Sequence, residues 1–309
     1  DLVRSRGLGD VYKRQNIASE VGRLIQPSEF AELFDFAFLA LHGPYGEDGA
    51  IQGLLEWYGI PYSGSGVLPS AIGISKLAQD KLMKAAGFKR PLSVTLSRST
   101  WLEAQHSTVN QLITHYSQLL GWPLVIKAPA QGSSIGISIL HRTDEVAFTN
   151  AVNKAFFIQT ISKVEWNGFS EEHKIHWVRT LSDIREGVGL PVEIHQSHRK
   201  LKTVYHPAEL LHYLDTSKWS GTLQLHAQDA ENEIIIEQFI KGREFSCIVI
   251  EDEMGQVIAL PPTEIVKRQE LFDYRSKYLP GMSRKLTPIN VADEYINAII
   301  CLLYTSPSP

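Results

Sequence analysis

Apolar residues in this 309-residue chain gather in short runs separated by glycine- and serine-rich breaks, and the clearest pair of runs flanks a lysine. In Pro123 to Leu140, PLVIKAPAQGSSIGISIL, the β-branched and aliphatic stretches at 124–126 and 135–140 predict two strands of a hairpin, with Gly132, Ser133 and Ser134 near its tip. Lys127 adds a fixed positive charge at the end of the first strand. A glycine beside two serines leaves backbone N–H and hydroxyl donors accessible, a combination suited to polyphosphate. No lysine followed by serine or threonine comes after the glycine and no helix pattern begins there, so this is not a Walker loop. An ordinary serine-rich hairpin turn accounts for the same residues equally well.

Upstream, residues 34–41 form an apolar run broken only by Asp35, which predicts a strand delivering His42 and Gly43 to its carboxyl end. Asp48 in the following turn is positioned to cap a helix over about 50–58, closed by Gly59. A short strand at 60–62 and the loop Ser63-Gly64-Ser65-Gly66 lead into a helix over 70–84 that carries Lys76, Lys81 and Lys84. On residue type alone, His42 reads as a capping histidine, Glu47 as a solvated turn residue and Lys76 as a solvated helical lysine. Residues 101–121 read as a broken helix. Farther on, Ser170 is positioned to cap a helix over 171–186 closed by Gly187, and Pro207 suits the first residue of a helix to Leu214. Residues 271–288 hold too many charges and too little period for an element, and 292–300 are helical.

Composition narrows the function classes. With 43% apolar and 21% charged residues the chain is ordinary for a globular protein, and its length allows two or three folded units. A net charge of −4 and a pI near 6.3 supply no basic footprint for nucleic acid, and no apolar run approaches membrane-spanning length. Neither partner is expected. Cys247 and Cys301 cannot form a disulfide framework, which fits a reducing cytoplasm. Seven of the eleven histidines fall between Phe157 and Glu233, including His173 with His176 and His195 with His198. A spacing of three puts the first pair on one helical face, but no cysteines accompany them, and surface histidines explain the pattern better than a metal site.

Together, His42-Gly43, Gly46-Glu47-Asp48-Gly49, Gln52-Gly53, Ile60-Pro61-Tyr62, Gly64-Ser65-Gly66-Val67 and Ser70-Ala71 resemble the amino-terminal signature of D-alanine–D-alanine ligases. The resemblance continues through Lys76, Lys127, Gly132-Ser133-Ser134-Ile135-Gly136, Ile236-Glu237-Gln238-Phe239-Ile240, Gly242-Arg243-Glu244-Phe245, Phe272-Asp273-Tyr274, Lys277-Tyr278 and Pro288. It implies an α/β architecture of the ATP-grasp (α+β) type, divided into a partial Rossmann-like substrate domain at 16–75, a central ATP-grasp domain at 76–240 and a partial carboxy-terminal ATP-grasp domain at 241–300 with a lid at 271–288. Residues 1–15 and 301–309 resemble translated sequencing-adapter sequence and are set aside as non-native. Residues of about 158–232 form an insertion that typical members of the family lack, one suited to contacting a partner or a second subunit.

The same resemblance implies roles. Lys76 and Lys127 would contact the α- and β-phosphates of ATP, and the Gly132, Ser133, Ser134 and Ile135 flap would close over the γ-phosphate. Glu237 would lie by the adenine, Phe239 and Ile240 against the base, and Glu244 on the ribose hydroxyls. His42 and Glu47 fall in the substrate-binding signature. Lys277 would reach the transferred phosphate, while Tyr278 would bond Ser133 across the site and favour D-alanine over D-lactate as second substrate. Taken without the family, Glu237 and Glu244 are strand-end carboxylates, and Lys277 and Tyr278 are loop residues. The implied reaction activates one D-alanine as an acyl phosphate and joins it to a second for peptidoglycan precursor synthesis, in a cytoplasmic homodimer. The family's acidic magnesium ligands would lie beyond Ile300, so the chain as written is expected to be a truncated and inactive ligase with no metal ligands of its own. Another ATP-grasp carboxylate–amine ligase, or a nucleotide-binding module without catalysis, stands as the alternative.

Overall fold

The pleat of a β-strand sends alternate side chains to opposite faces, and in this chain that rule sets which residues reach the cleft described below. The structure, a computed structural model, describes residues 23, 25–104, 108–197, 199–228, 230–267 and 283–305. Two units separate, Asp1–Ser70 and Ala71–Pro309.

In the first unit, a single turn at Pro27–Glu29 passes into the short helix Phe30–Leu33. The expected strand over 34–41 is reduced to one parallel bridge, Ala37 to Tyr62, and Phe36 and Phe38 are exposed. An apolar run becomes a strand only where a neighbour takes up its backbone groups. Here, among the described residues, two backbone–backbone bonds join it to the 60–63 stretch, Ala37 N–H to the Pro61 carbonyl and Ser63 N–H to the Ala37 carbonyl, and the Leu39 N–H goes to the Ser63 hydroxyl. The next helix, Ala50–Trp57, starts as anticipated, but its cap is Gly49 at φ +94°, one residue beyond Asp48. The Asp48 carboxylate still accepts the Tyr45 and Ala50 N–H groups at 2.7 and 3.0 Å. Glycine is required at 49 because a Cβ there would stand 2.7 Å from the Val67 carbonyl oxygen.

The single helix expected over 70–84 is two, Val67–Ile74 and Lys76–Ala85. Ser75 is extended between them, and its hydroxyl accepts the Ala78 N–H, which makes Lys76 the first residue of a new helix. In chain order the strands that follow are β1 (Ser93–Ser97), β2 (Leu124–Lys127), β3 (Ser138–Leu140), β4 (Ile158–Ser162), β5 (Val192–Gln196), β6 (Arg199–Val204), β7 (Thr222–Ala227) and β8 (Glu233–Gln238). They form two four-stranded antiparallel sheets, ordered β1-β8-β2-β3 and β4-β7-β5-β6. The predicted hairpin is β2 with β3, pairing Leu124 with Leu140 and Ile126 with Ser138.

Each sheet has its own core. Leu124, Ile126, Ile234 and Ile236 pack with Trp101, Ile113, Phe148 and Val152 from the helices Arg98–Ala104, Val109–Leu120 and Glu145–Ala155. The second core gathers Ile161, Ile194, Leu223 and Leu225 around Trp166, Leu181 and Leu210, on the helices Lys163–Gly168, Glu171–Ser182 and Pro207–Thr216. Thus the histidine-rich stretch leaves the first sheet after β3 and the helix that follows it, builds a complete layer of its own, and returns as β8 between β1 and β2. Within it, His173 stacks on Phe169 at 4.1 Å and His195 lies 3.1 Å from a Glu193 oxygen; His198 is outside the described residues.

Beyond β8, β9 (Glu244–Ser246), β12 (Thr263–Lys267) and β13 (Ser283–Leu286) form a three-stranded sheet, and β10 (Val249–Glu251) pairs with β11 (Val257–Ala259). The stretch expected to lack any element therefore contains β13, whose Arg284 and Lys285 face Val266 and Ile265 of β12. Paired backbone, not apolar period, makes this strand. The last helix, Asp293–Thr305, runs past Ile300 into the segment set aside as non-native.

Candidate functional site

On the face of the first sheet away from its core, the pleat aligns Ser93 and Thr95 of β1, Ile235 and Glu237 of β8, and Val125 and Lys127 of β2. This face floors a cleft of about 580 Å³, walled by the helix of Lys76 and by Lys89 and Arg90. Lys127 and Glu237 are diagonal neighbours across the β2–β8 ladder, and the ammonium donates to Glu237 Oε1 at 2.5 Å. Both side chains are more than four-fifths buried, so the pair is poorly screened and each charge depends on the other. Lys76 enters from the helix start. Its ammonium donates to the carbonyls of Gln131 at 2.6 Å and Pro129 at 3.4 Å, and its own N–H to the Pro129 carbonyl.

These carbonyls belong to the root of the 132–135 loop. The Ile135 N–H closes a turn onto the Gly132 carbonyl, and Ser133 and Ser134 both take left-handed backbone angles, φ +52° and +61°. For L-residues that conformation costs about 1–2 kcal/mol each. The tip is thus held in a form that serine does not prefer.

Of the residues expected to act, Lys76, Lys127 and Glu237 share one cleft and the 132–135 loop is tied to Lys76. Phe239 continues the strand edge, its N–H donating to the Pro123 carbonyl, and Ile240 is exposed. Glu244 does not line the cleft; it opens β9 opposite Ile265. His42 and Glu47 belong to the first unit, where Glu47 accepts the Gly43 N–H at 2.6 Å and lies 3.7 Å from His42 Nδ1. Lys277 and Tyr278 lie outside the described residues.

Three features escaped sequence reasoning. Lys89 and Arg90 line the cleft, with Arg90 held by Asp80 at 2.6 Å; their adjacency before β1 was the available signal. Glu231, just ahead of β8, accepts the Ala130 N–H at 3.0 Å, and burial pushes its carboxyl above the ordinary range while that hydrogen bond opposes the rise. No pattern in the sequence points to it.

Cationic walls, an acceptor on the floor and a volume in the usual range for a small-molecule pocket suit a polyphosphate-bearing ligand. Among the described residues no three histidine, cysteine or carboxylate side chains come together as a metal would require, and no helix is long and apolar enough to cross a membrane.

A family model for the D-ala D-ala ligase N-terminus matches residues 5–65, and one for the D-ala D-ala ligase C-terminus matches 82–195 and 221–303, more than half of the chain. The chain belongs to the D-alanine–D-alanine ligase family. Similar proteins include the D-alanine–D-alanine ligases of Pelotomaculum thermopropionicum, 30% identical over 87% of this chain and 59% of the relative, and of Desulforudis audaxviator, 31% identical over 84% and 58%. The chain thus spans under two thirds of the length of these family members. The crystal structure of the VanG D-Ala:D-Ser ligase from Enterococcus faecalis superposes with a TM-score of 0.53 at 24% identity, covering 92% of this chain and 57% of that one, which supports the shared ATP-grasp fold. The family match skips 196–220, the part of the chain holding β6 and the helix Pro207–Thr216.

Proposed function

We propose that this chain is the nucleotide-binding part of an ATP-dependent ligase that joins two D-alanines through an acyl phosphate for peptidoglycan precursor synthesis. The observation that carries the reading is the meeting of Lys76, Lys127 and Glu237 in one cleft beside the 132–135 loop, in a chain of this family. Lys76 and Lys127 would hold the α- and β-phosphates, and the loop would cover the γ-phosphate. Glu237, with Phe239 and Ile240, would meet the adenine, and Glu244 the ribose. His42 and Glu47 would serve the first D-alanine, and Lys277 and Tyr278 the transferred phosphate and the second substrate. Phosphoryl transfer concentrates negative charge on oxygens, so fixed cations and N–H donors are the groups this chemistry needs. Carboxylate attack on the γ-phosphate would give the acyl phosphate, which the amine of the second substrate then opens.

Magnesium would be bound together with the nucleotide's phosphates, as the family's use of ATP implies; among the described residues no three histidine, cysteine or carboxylate side chains gather to hold it alone. The VanG relative is a D-Ala:D-Ser ligase, so a second reading keeps the same first stage with D-serine as acceptor. Binding of a fluorescent ATP analogue tests the site: Lys127→Ala should weaken it about tenfold or more, as expected for loss of a charge-assisted contact. Equal binding by the variant would remove the reading. Phosphate release by the protein, supplied with D-alanine alone or with D-serine or D-lactate, decides the acceptor.

A further inference from the structure

Both feet of the 132–135 loop rest on the chain's excursion through the second sheet. On the incoming side, Glu231 Oε1 accepts the Ala130 N–H at 3.0 Å. Arg98 braces that residue: its Nε donates to the Glu231 carbonyl and its Nη2 to the Phe156 carbonyl, each at 2.9 Å. One guanidinium therefore ties together the points where the excursion departs and returns. Ala128, before the loop and wholly buried, belongs to the second core, and on the outgoing side Ile135 packs against that core. A Cβ on Gly136 would lie 3.1 Å from Ala128 Cβ and 3.3 Å from the Phe157 ring, so the loop's end is pressed against the first residue of the excursion.

We propose that Glu231 is a positioning residue that seats the 132–135 loop, coupling its placement to the second sheet. Its carboxylate accepts the Ala130 N–H, three residues before the strained serine pair, and feels the charges of Lys76 and Arg98. Arg98 fixes the main chain of Glu231, which holds the acceptor in place. The seat restricts the loop's root. Coupling of this kind is reciprocal: what steadies the second sheet steadies the loop, and a ligand under the loop steadies the second sheet.

The consequence for nucleotide rests on the reading that the loop covers phosphates, but the seat itself is measurable without ligand. Hydrogen exchange of the nucleotide-free chain should show amides 130–135 exchanging about tenfold faster in Glu231→Leu, which leaves the Ala130 N–H unpaired, with β1 and β2 unchanged. Glu231→Gln, whose amide oxygen can still accept, should restore most of the protection. The fluorescent ATP analogue should bind about tenfold more weakly to Glu231→Leu than to Glu231→Gln. If the leucine variant fails to fold, Glu231→Asp, which draws the acceptor back by one methylene, should raise exchange about threefold at the same amides. Unchanged exchange in the variant that folds overturns the seat. Faster exchange in a chain that binds no nucleotide keeps the seat and removes the phosphate reading.

Discussion

Acidification should unfold the second sheet through one residue, His226. It sits on β7 opposite Ile158 and Glu193, about 5% exposed, with its ring stacked on His195 at 4.4 Å and its Nε2 meeting no hydrogen-bond partner among the described residues. Burial is the main force holding its pKa down to about 3, with the neighbouring His195 and Arg98 adding to it and Glu193 opposing. An imidazole whose folded pKa lies below the unfolded value near 6.5 takes its proton first in the unfolded chain. Its stabilising contribution is therefore complete above about pH 6.5 and lost progressively as pH falls toward 3. Between pH 7 and pH 5 the linkage integral gives a loss of about 2 kcal/mol, which moves a urea midpoint by about 1 M at a slope of about 2 kcal/mol/M. The assay is urea unfolding followed by the fluorescence of Trp166 and Trp219 in the second core and of Trp177 packed against it. His226→Phe keeps a stacked ring and removes the titration, so it should lose about 2 kcal/mol less than the parent over that interval. Equal losses in both proteins would refute the argument, whatever their absolute stabilities.

Two further outcomes follow from packing. Trp166 is fully buried and its indole N–H donates to Asp215 at 3.0 Å, so Trp166→Ala should cost about 3–5 kcal/mol in unfolding of the second core; exchange protection in β2 and β8 should fall far less, because those strands belong to the other core. Gly49→Ala should lower the stability of the first unit by about 1–3 kcal/mol, since both the left-handed angle and the Val67 carbonyl oppose a Cβ; a thermal melt that does not change would contradict the geometry.

Local chemistry was legible in the sequence wherever a side chain settles a nearby backbone group. Ser170 caps its helix by accepting the His173 N–H, Pro207 opens the next helix, and the β2–β3 hairpin pairs as its β-branched residues require. Lys127 could be placed at the end of β2 for the same reason. Its partner Glu237 could not, because the pairing of β8 between β1 and β2 is decided by contacts across the whole excursion. The break at Ser75 was hidden for a different reason: serine is tolerated inside a helix as well as at its start, and only the extended backbone distinguishes the two. Residues 34–41 read as a strand from hydrophobicity alone, which says nothing about the number of neighbours available to pair. The second sheet was legible only as ordered-looking helical segments, since β4 to β7 are short and mix polar with apolar residues.

The place of β8 also bears on synthesis. Lys127 and its carboxylate partner are 110 positions apart, and a ribosome adding 5–20 residues per second leaves roughly ten seconds between them. Throughout that delay the nascent β1 and β2 have open edges with no strand to join them, while the emerging histidine-rich layer can complete itself unaided. Chaperones that shield bare strand edges should therefore matter most during this interval, and codons that slow translation after β2 would prolong the exposure to aggregation.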